Sequence, residues 1–178
     1  MQIRAPIVLQ AVIKSFAEVV LPAVAADNRM AQEQAQLILG LLTLLGQRMP
    51  HEFAYDLDEL KRLAALGRTL QQLAPDAALT SQVQHGEEVV SRAGASPAEL
   101  LDAVGALRAV VGEHVSRLEN QDSGPGAAAR RAVLDCVREQ QVRERTWLLM
   151  QGWEIDPSSL PTLESLIAVP VTGTRGPP

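Results

Sequence analysis

Apolar residues along the chain recur mostly three or four positions apart. That spacing lines one face of an α-helix, because side chains at i, i+3, i+4 and i+7 stack on one side. The alternation of a half-buried strand is absent over any useful length. A first helix starts near Pro6, suited to a first turn, and buries Leu9, Val12, Ile13, Phe16 and Val20. Pro22 kinks or ends it. Asp27 or Asn28 caps a second helix, which runs to about Arg48 and stops at Pro50. Asp56-Leu57-Asp58-Glu59 has the form of a capping box and opens a third helix through Leu60, Leu63 and Leu70. Pro75-Asp76 interrupts the pattern, and a fourth helix covers 77–92. Ser96-Pro97-Ala98-Glu99 joins a cap, an early proline and a third-position glutamate, starting a fifth helix that reaches Leu118. The segment 120–126, NQDSGPG, has nothing apolar to bury and reads as a loop. A sixth helix then extends to about Gln151, and a short one lies near 161–168. The expected fold is all-α: a helical bundle of about five or six helices in one domain, 1–168, with an extended or loosely ordered Pro/Gly-rich tail at 169–178.

The second helix changes character halfway. In DNRMAQEQAQLILGLLTLLG, 27–46, the first half is polar and the second aliphatic. At about 100° per residue, Met30, Leu37, Leu41 and Leu44 share a face, and Gln34 falls inside it. Gln32, Glu33 and Gln36 fall outside it or at its edge, while Leu39 lies opposite. The fifth helix carries Leu100, Val104, Leu107, Val111 and Leu118 on one seam, with His114 among them. On the sixth, Val133, Val137, Trp147 and Leu148 form a stripe with Gln140 and Glu144 between.

Four inward polar candidates result: Gln34, His114, Gln140 and Glu144. A buried polar group without a partner costs roughly 1–3 kcal/mol, so these must meet each other, water or a cavity. One reading is a polar pocket, with Glu144 and His114 as an acid–base pair or as ligand contacts. The other is an internal hydrogen-bond network, or a seam open to solvent at one end. A cavity of roughly 300 Å³ or more lined by these groups would make binding the default.

The end of the sixth helix, WLLMQGW at 147–153, gathers Trp147, Met150 and Trp153, residue types favoured at partner surfaces. Either the tail folds back over them, or they form a helix-to-helix dimer contact with tail exchange. Arg131, Arg138 and Arg145, seven apart, mark an outward face.

Composition narrows the function. Aliphatic residues dominate and aromatics are 3% of the chain, which favours helix on helix. A formal net charge of -5 removes the basic footprint that duplex DNA needs. Phe16, Phe53, Tyr55, Trp147 and Trp153 are too few for a platform that stacks single strands. A lone Cys136 excludes a disulfide within the chain and fits a reducing compartment. It reads as a small buried hydrophobe or as a reactive thiol. The N-terminal apolar run imitates a signal sequence, but Gln10, Lys14 and Glu18 give it a polar face. It is therefore read as a mature amphipathic helix of a cytoplasmic protein. No apolar run approaches the ~20 residues of a bilayer span, and no membrane partner is expected.

Nucleotide, hydrolase, redox and zinc-protease motifs are missing. None of the three histidines has the Glu-x-x-His step of a di-iron bundle. His85-Gly86-Glu87-Glu88 sits beside a glycine, and His51-Glu52 falls in a loop. No metal or cofactor is expected. The functional expectation is a non-catalytic interaction or accessory protein that forms a homodimer or joins a protein partner. The alternative is a small-molecule-binding protein or enzyme using a polar pocket in the core.

Overall fold

Four side-chain caps punctuate the described residues. Asn28 accepts from the Ala31 N–H at 3.1 Å and Asp76 from the Leu79 N–H at 2.8 Å. Ser96 accepts from the Glu99 N–H at 3.2 Å and Thr162 from the Ser165 N–H at 3.2 Å. Each satisfies a backbone donor that the first helical turn leaves unpaired. The computed structural model describes residues 4–92, 95–119, 124–149, 152 and 154–168. Its helices are α1 (Ala5–Ala23), α2 (Arg29–Arg48), α3 (Glu52–Leu73) and α4 (Ala77–Ser91). They continue with α5 (Pro97–Glu119), α6 (Gly124–Leu148) and α7 (Leu163–Ala168). The fold is all-α, a helical bundle with seven helices and no strand among the described residues, rather than five or six helices.

Two boundaries differ from expectation. Asp56–Glu59 does not open a helix; α3 begins at Glu52, and Asp58 and Glu59 are buried inside it. The acidic run that imitates a cap supplies ion-pair partners instead. α6 begins at Gly124, so 124–126 is helix and not loop. Residues 120–123 and the expected tail, 169–178, lie outside the described residues.

The chain divides into two compact units. The first comprises Met1–Glu52 and Trp147–Pro157. Here α1 packs on α2 as an antiparallel pair joined by a short turn, where the Gln32 side chain donates to the Val24 carbonyl at 2.7 Å. Half-buried Leu9, Ile13, Phe16 and Ala17 form the inner stripe of α1. Ala31, Ala35, Leu39, Leu42 and Gly46 form that of α2. The helices come close at Gly46, where a Cβ would stand 3.4 Å from Ile13 and 3.5 Å from Leu9 and Gln10. A π turn spans Phe16–Val20, its end closed by the Leu21 N–H donating to the Phe16 carbonyl. The Pro22 ring would crowd the carbonyl four residues earlier in a regular helix, and the wider turn relieves it. No described residue of α1 is buried; among the described residues of this unit only Ala35 and Leu44 are. Val12 and Val20, expected inside, are exposed. The expectation that no run is long enough for a bilayer also needs correction. α1 has the length and apolar composition to cross a membrane, because its polar residues interrupt the apolar run without interrupting the helix.

The second unit comprises Phe53–Thr146 and Ser158–Pro178. Leu60, Leu70, Leu79, Val89, Leu100 and Leu107 are fully enclosed in its core. Gly67 and Gly86 let α3 and α4 approach: a Cβ at Gly67 would collide with Val83, and one at Gly86 would press on Leu60 at 3.3 Å. The α5 seam is as expected, with Leu100, Val104, Leu107, Val111, His114 and Leu118 all buried. The α6 seam is not. Ala129, Ala132, Val133, Cys136, Gln140, Arg143 and Thr146 face inward, while Val137 and Leu148 are exposed. Its inward positions carry small or polar side chains, which hydrophobicity alone ranks low.

Candidate functional site

The polar core of the second unit is assembled by α3 and α6. Asp58 lies one turn before Arg62 on α3, so their side chains are neighbours, 2.9 Å apart. From α6, Arg143 reaches the same Asp58 carboxylate, and Glu139 pairs with Arg62 at 2.9 Å. Arg143 is almost wholly buried, 1% exposed, which demands a fixed counter-charge. Its guanidinium also lies 4.7 Å from the centre of the Tyr55 ring and donates to the Tyr55 carbonyl at 3.5 Å. Gln140 donates to the Tyr55 hydroxyl at 3.5 Å and to Glu144 at 3.2 Å. Burial pushes the Tyr55 hydroxyl pKa up, against the opposing pull of Arg143. Burial lowers the pKa of Arg62, but the bond and charge of Asp58, with Glu139, outweigh it and the net shift is upward. These ions pair with one another between α3 and α6.

Beside the cluster lies a cavity of about 220 Å³ between α3, α5 and α6. Leu63, Leu66, Val111, Val133, Val137 and Cys136 line it, with Glu59, Arg62, Arg108 and Gln140 also on its wall. Gly112 also borders it, and a Cβ there would meet nothing within 4 Å. Arg108 pairs with the buried Glu59. Burial, followed by the charge of Glu139, pushes the Cys136 thiol pKa up, which keeps it a thiol rather than a nucleophilic thiolate. The cavity is smaller than the ligand sites of roughly 300–1,000 Å³, and only Gln140 of the four candidates lines it.

The other three candidates stand elsewhere. His114 is buried on α5, its Nδ1 3.9 Å from Asp76, which also binds Arg117 at 2.9 Å. Its Nε2 has no hydrogen-bond partner among the described residues. Glu144 is exposed. His114 sits by the Asp76 end of α3, whereas Glu144 sits by the Tyr55 end, roughly 27 Å along the axis at 1.5 Å per residue. The structure therefore does not bring them together as an acid–base pair. Gln34 is exposed, and so is the stripe to which it belongs: Met30, Leu37 and Leu41 face outward, and Leu44 alone is buried. The stripe is real, but the opposite face of α2, through Leu39, packs on α1. Among the described residues no group of three or more His, Cys, Asp or Glu side chains could hold a metal.

Of the expected interface, Trp147 is half-buried and engaged within its own unit. Arg48 lies 5.4 Å from its ring centre and donates to its carbonyl from Nε at 3.0 Å and Nη2 at 2.7 Å. Met150 and Trp153 lie outside the described residues. Sequence reasoning missed Arg143 and the α1–α2 surface. Arg143 shares a stripe with Ala129, Cys136 and Gln140, in steps of seven, four and three, and that spacing was the available signal.

The α1–α2 pair presents a second candidate. Ile7, Val8, Val12, Val19 and Val20 of α1 are exposed, as are Met30, Leu37, Ile38, Leu41 and Leu45 of α2. With the inner stripes of two antiparallel helices facing each other, Val8, Val12 and Val19 fall on the same side as Leu37, Leu41 and Leu45. One apolar face results, crossing both helices. In comparisons with known proteins, no family model, no curated protein and no solved structure matches the chain.

Proposed function

We propose that the protein is a non-catalytic helical interaction protein that self-associates through its N-terminal hairpin. The observation that carries this reading is the set of exposed apolar side chains that α1 and α2 present on one side. Monomeric proteins rarely expose large contiguous apolar patches, and such patches mark contact surfaces. Two helices cannot enclose a core, but two such pairs form a four-helix bundle that can. A bilayer is the less favourable cover: sinking Lys14 or Glu18 of α1 to its centre costs about 2.5–3.5 kcal/mol per charge. The chemistry of the second unit agrees, since its buried ions are mutually paired and its cavity is small. The half-buried thiol of Cys136 suits a reducing compartment, and the reading assigns the protein to the cytoplasm. Charging the face tests the proposal. Leu41→Glu is expected to turn a two-chain species into a single chain with helical content unchanged, read by sedimentation and circular dichroism. Unaltered association in that variant would refute the surface.

A second reading has one observation in its favour, the 220 Å³ cavity between α3, α5 and α6. With its wall ions already paired, it would take a compact neutral apolar molecule. Val133→Phe at its apolar wall is expected to fill it, and the amide resonances of α5 and α6 would then stop responding to a probe such as toluene. A wild-type spectrum indifferent to the probe removes this reading.

A further inference from the structure

The face on α1 and α2 carries enough pattern to assign a geometry to the pairing, an inference that rests on the self-association proposed above. We infer that two copies pair these faces antiparallel, about a two-fold axis passing at Leu41 of α2 and at Ser15 of α1. The first support is the composition of α2. Its aliphatic run, 37–45, is centred on Leu41, and its N-terminal third is polar. Antiparallel pairing centred on Leu41 sets Leu37 against Leu45 of the second copy. It leaves Gln34 against the Arg48 end, polar beside polar. Parallel pairing in register would set Arg48, which shares the face of Leu37 and Leu41, beside its own copy, placing like charges together. Antiparallel pairing also opposes the helix dipoles.

The second support comes from α1 and is independent of the first. Gly46 of α2 lies level with 9–13 of α1, where Leu9, Gln10 and Ile13 surround it. An equal walk along both helices brings Leu41 level with 14–18. Val12 and Val19 are exposed and are centred between Ser15 and Phe16. The axis that suits α2 therefore also sets Val12 against Val19 of the second copy. Ser15 is exposed and small, which lets the two α1 helices approach where the axis crosses them. Such an isologous contact closes at two copies and leaves no surface for chain growth.

Single cysteines in a Cys136→Ser background test the geometry. Packed helices sit about 8–10 Å apart, beyond the ~7 Å reach of a disulfide, so a short bis-maleimide is the reagent. Leu41→Cys is expected to couple to itself in most chains. Gln34→Cys is not, since the two copies would stand roughly 21 Å apart along the axis at 1.5 Å per residue. Leu37→Cys mixed with Leu45→Cys is expected to couple at least tenfold better than Gln34→Cys alone. Gln34→Cys coupling to itself as readily as Leu41→Cys would show parallel pairing and overturn the geometry while leaving self-association standing. Leu41→Cys failing to couple in a chain that still sediments as a dimer would also overturn it. A chain that sediments singly before any substitution would remove the self-association and this geometry with it.

Discussion

The unit built on Phe53–Thr146 and the N-terminal hairpin use the same kind of helix and treat their aliphatic side chains in opposite ways. The larger unit encloses Leu60, Leu70, Leu79, Leu100 and Leu107 completely, and buries three charged side chains, Asp58, Glu59 and Arg143, with counter-ions. The hairpin has comparable aliphatic residues to bury, yet leaves ten of them at 44% exposure or more. The difference lies in the number of helices. Four helices surround a shared axis, so each has an inside; two helices have only the line between them. Buried side chains are therefore concentrated in the larger unit, and the proposed capacity for association in the hairpin. Substitutions should separate the two properties.

The largest effect is expected at Arg143. Arg143→Met leaves Asp58 without its deepest partner, and breaking a buried pair in this way costs about 3–5 kcal/mol. Urea unfolding should show that loss, while sedimentation of the folded fraction should remain that of a dimer. Leu41→Glu should do the reverse. It should weaken association at least a hundredfold, about 2.8 kcal/mol at 1.4 kcal/mol per tenfold. The intrinsic unfolding free energy of the separated chain should move by less than about 0.5 kcal/mol. A variant at either position that changed both properties equally would break the comparison.

Gly67→Ala comes next. Its new methyl must displace Val83 between α3 and α4, an overpacking worth about 1–3 kcal/mol. At Gly40 of the hairpin an added Cβ meets nothing within 4 Å. Gly40→Ala should therefore stabilise its helix by up to about 1 kcal/mol, visible as a shift in the urea midpoint.

The smallest effect is a pH dependence at Asp76. The Leu79 N–H bond, then Arg117 and His114, hold its carboxyl below its ordinary pKa. The folded chain thus prefers the charged form. The stability gained is complete above the ordinary value near 3.9 and is lost as the pH falls through the depressed one. Asp76→Asn keeps a capping side chain and should melt slightly below the parent at pH 6. The gap should close on acidification below about pH 4. A gap that persisted there would assign the effect to packing rather than charge.

Much of this architecture is legible in the residues. The α5 seam could be read because no competing stripe exists on that helix. The caps at Asn28 and Ser96 could be read because their side chains act locally. What periodicity cannot convey is which molecule covers a stripe. Met30, Leu37 and Leu41 do line up, but they line up on the side of α2 that faces away from α1. Gln34 therefore points with them toward solvent instead of into a core. The ionic cluster was hidden for a different reason. Asp58 and Glu59 imitate a local cap, and their true partners are distant in sequence, at Arg143 and Arg108. Only the packing of α3 against α5 and α6 reveals that purpose.

The most direct test of the account is sedimentation equilibrium of the intact chain in detergent-free buffer, with and without Leu41→Glu. The account predicts twice the 19.2 kDa chain mass for the parent and a single chain mass for the variant. A parent that sediments as one chain at every concentration would contradict it, since the apolar face of the hairpin would then have no second copy to cover it.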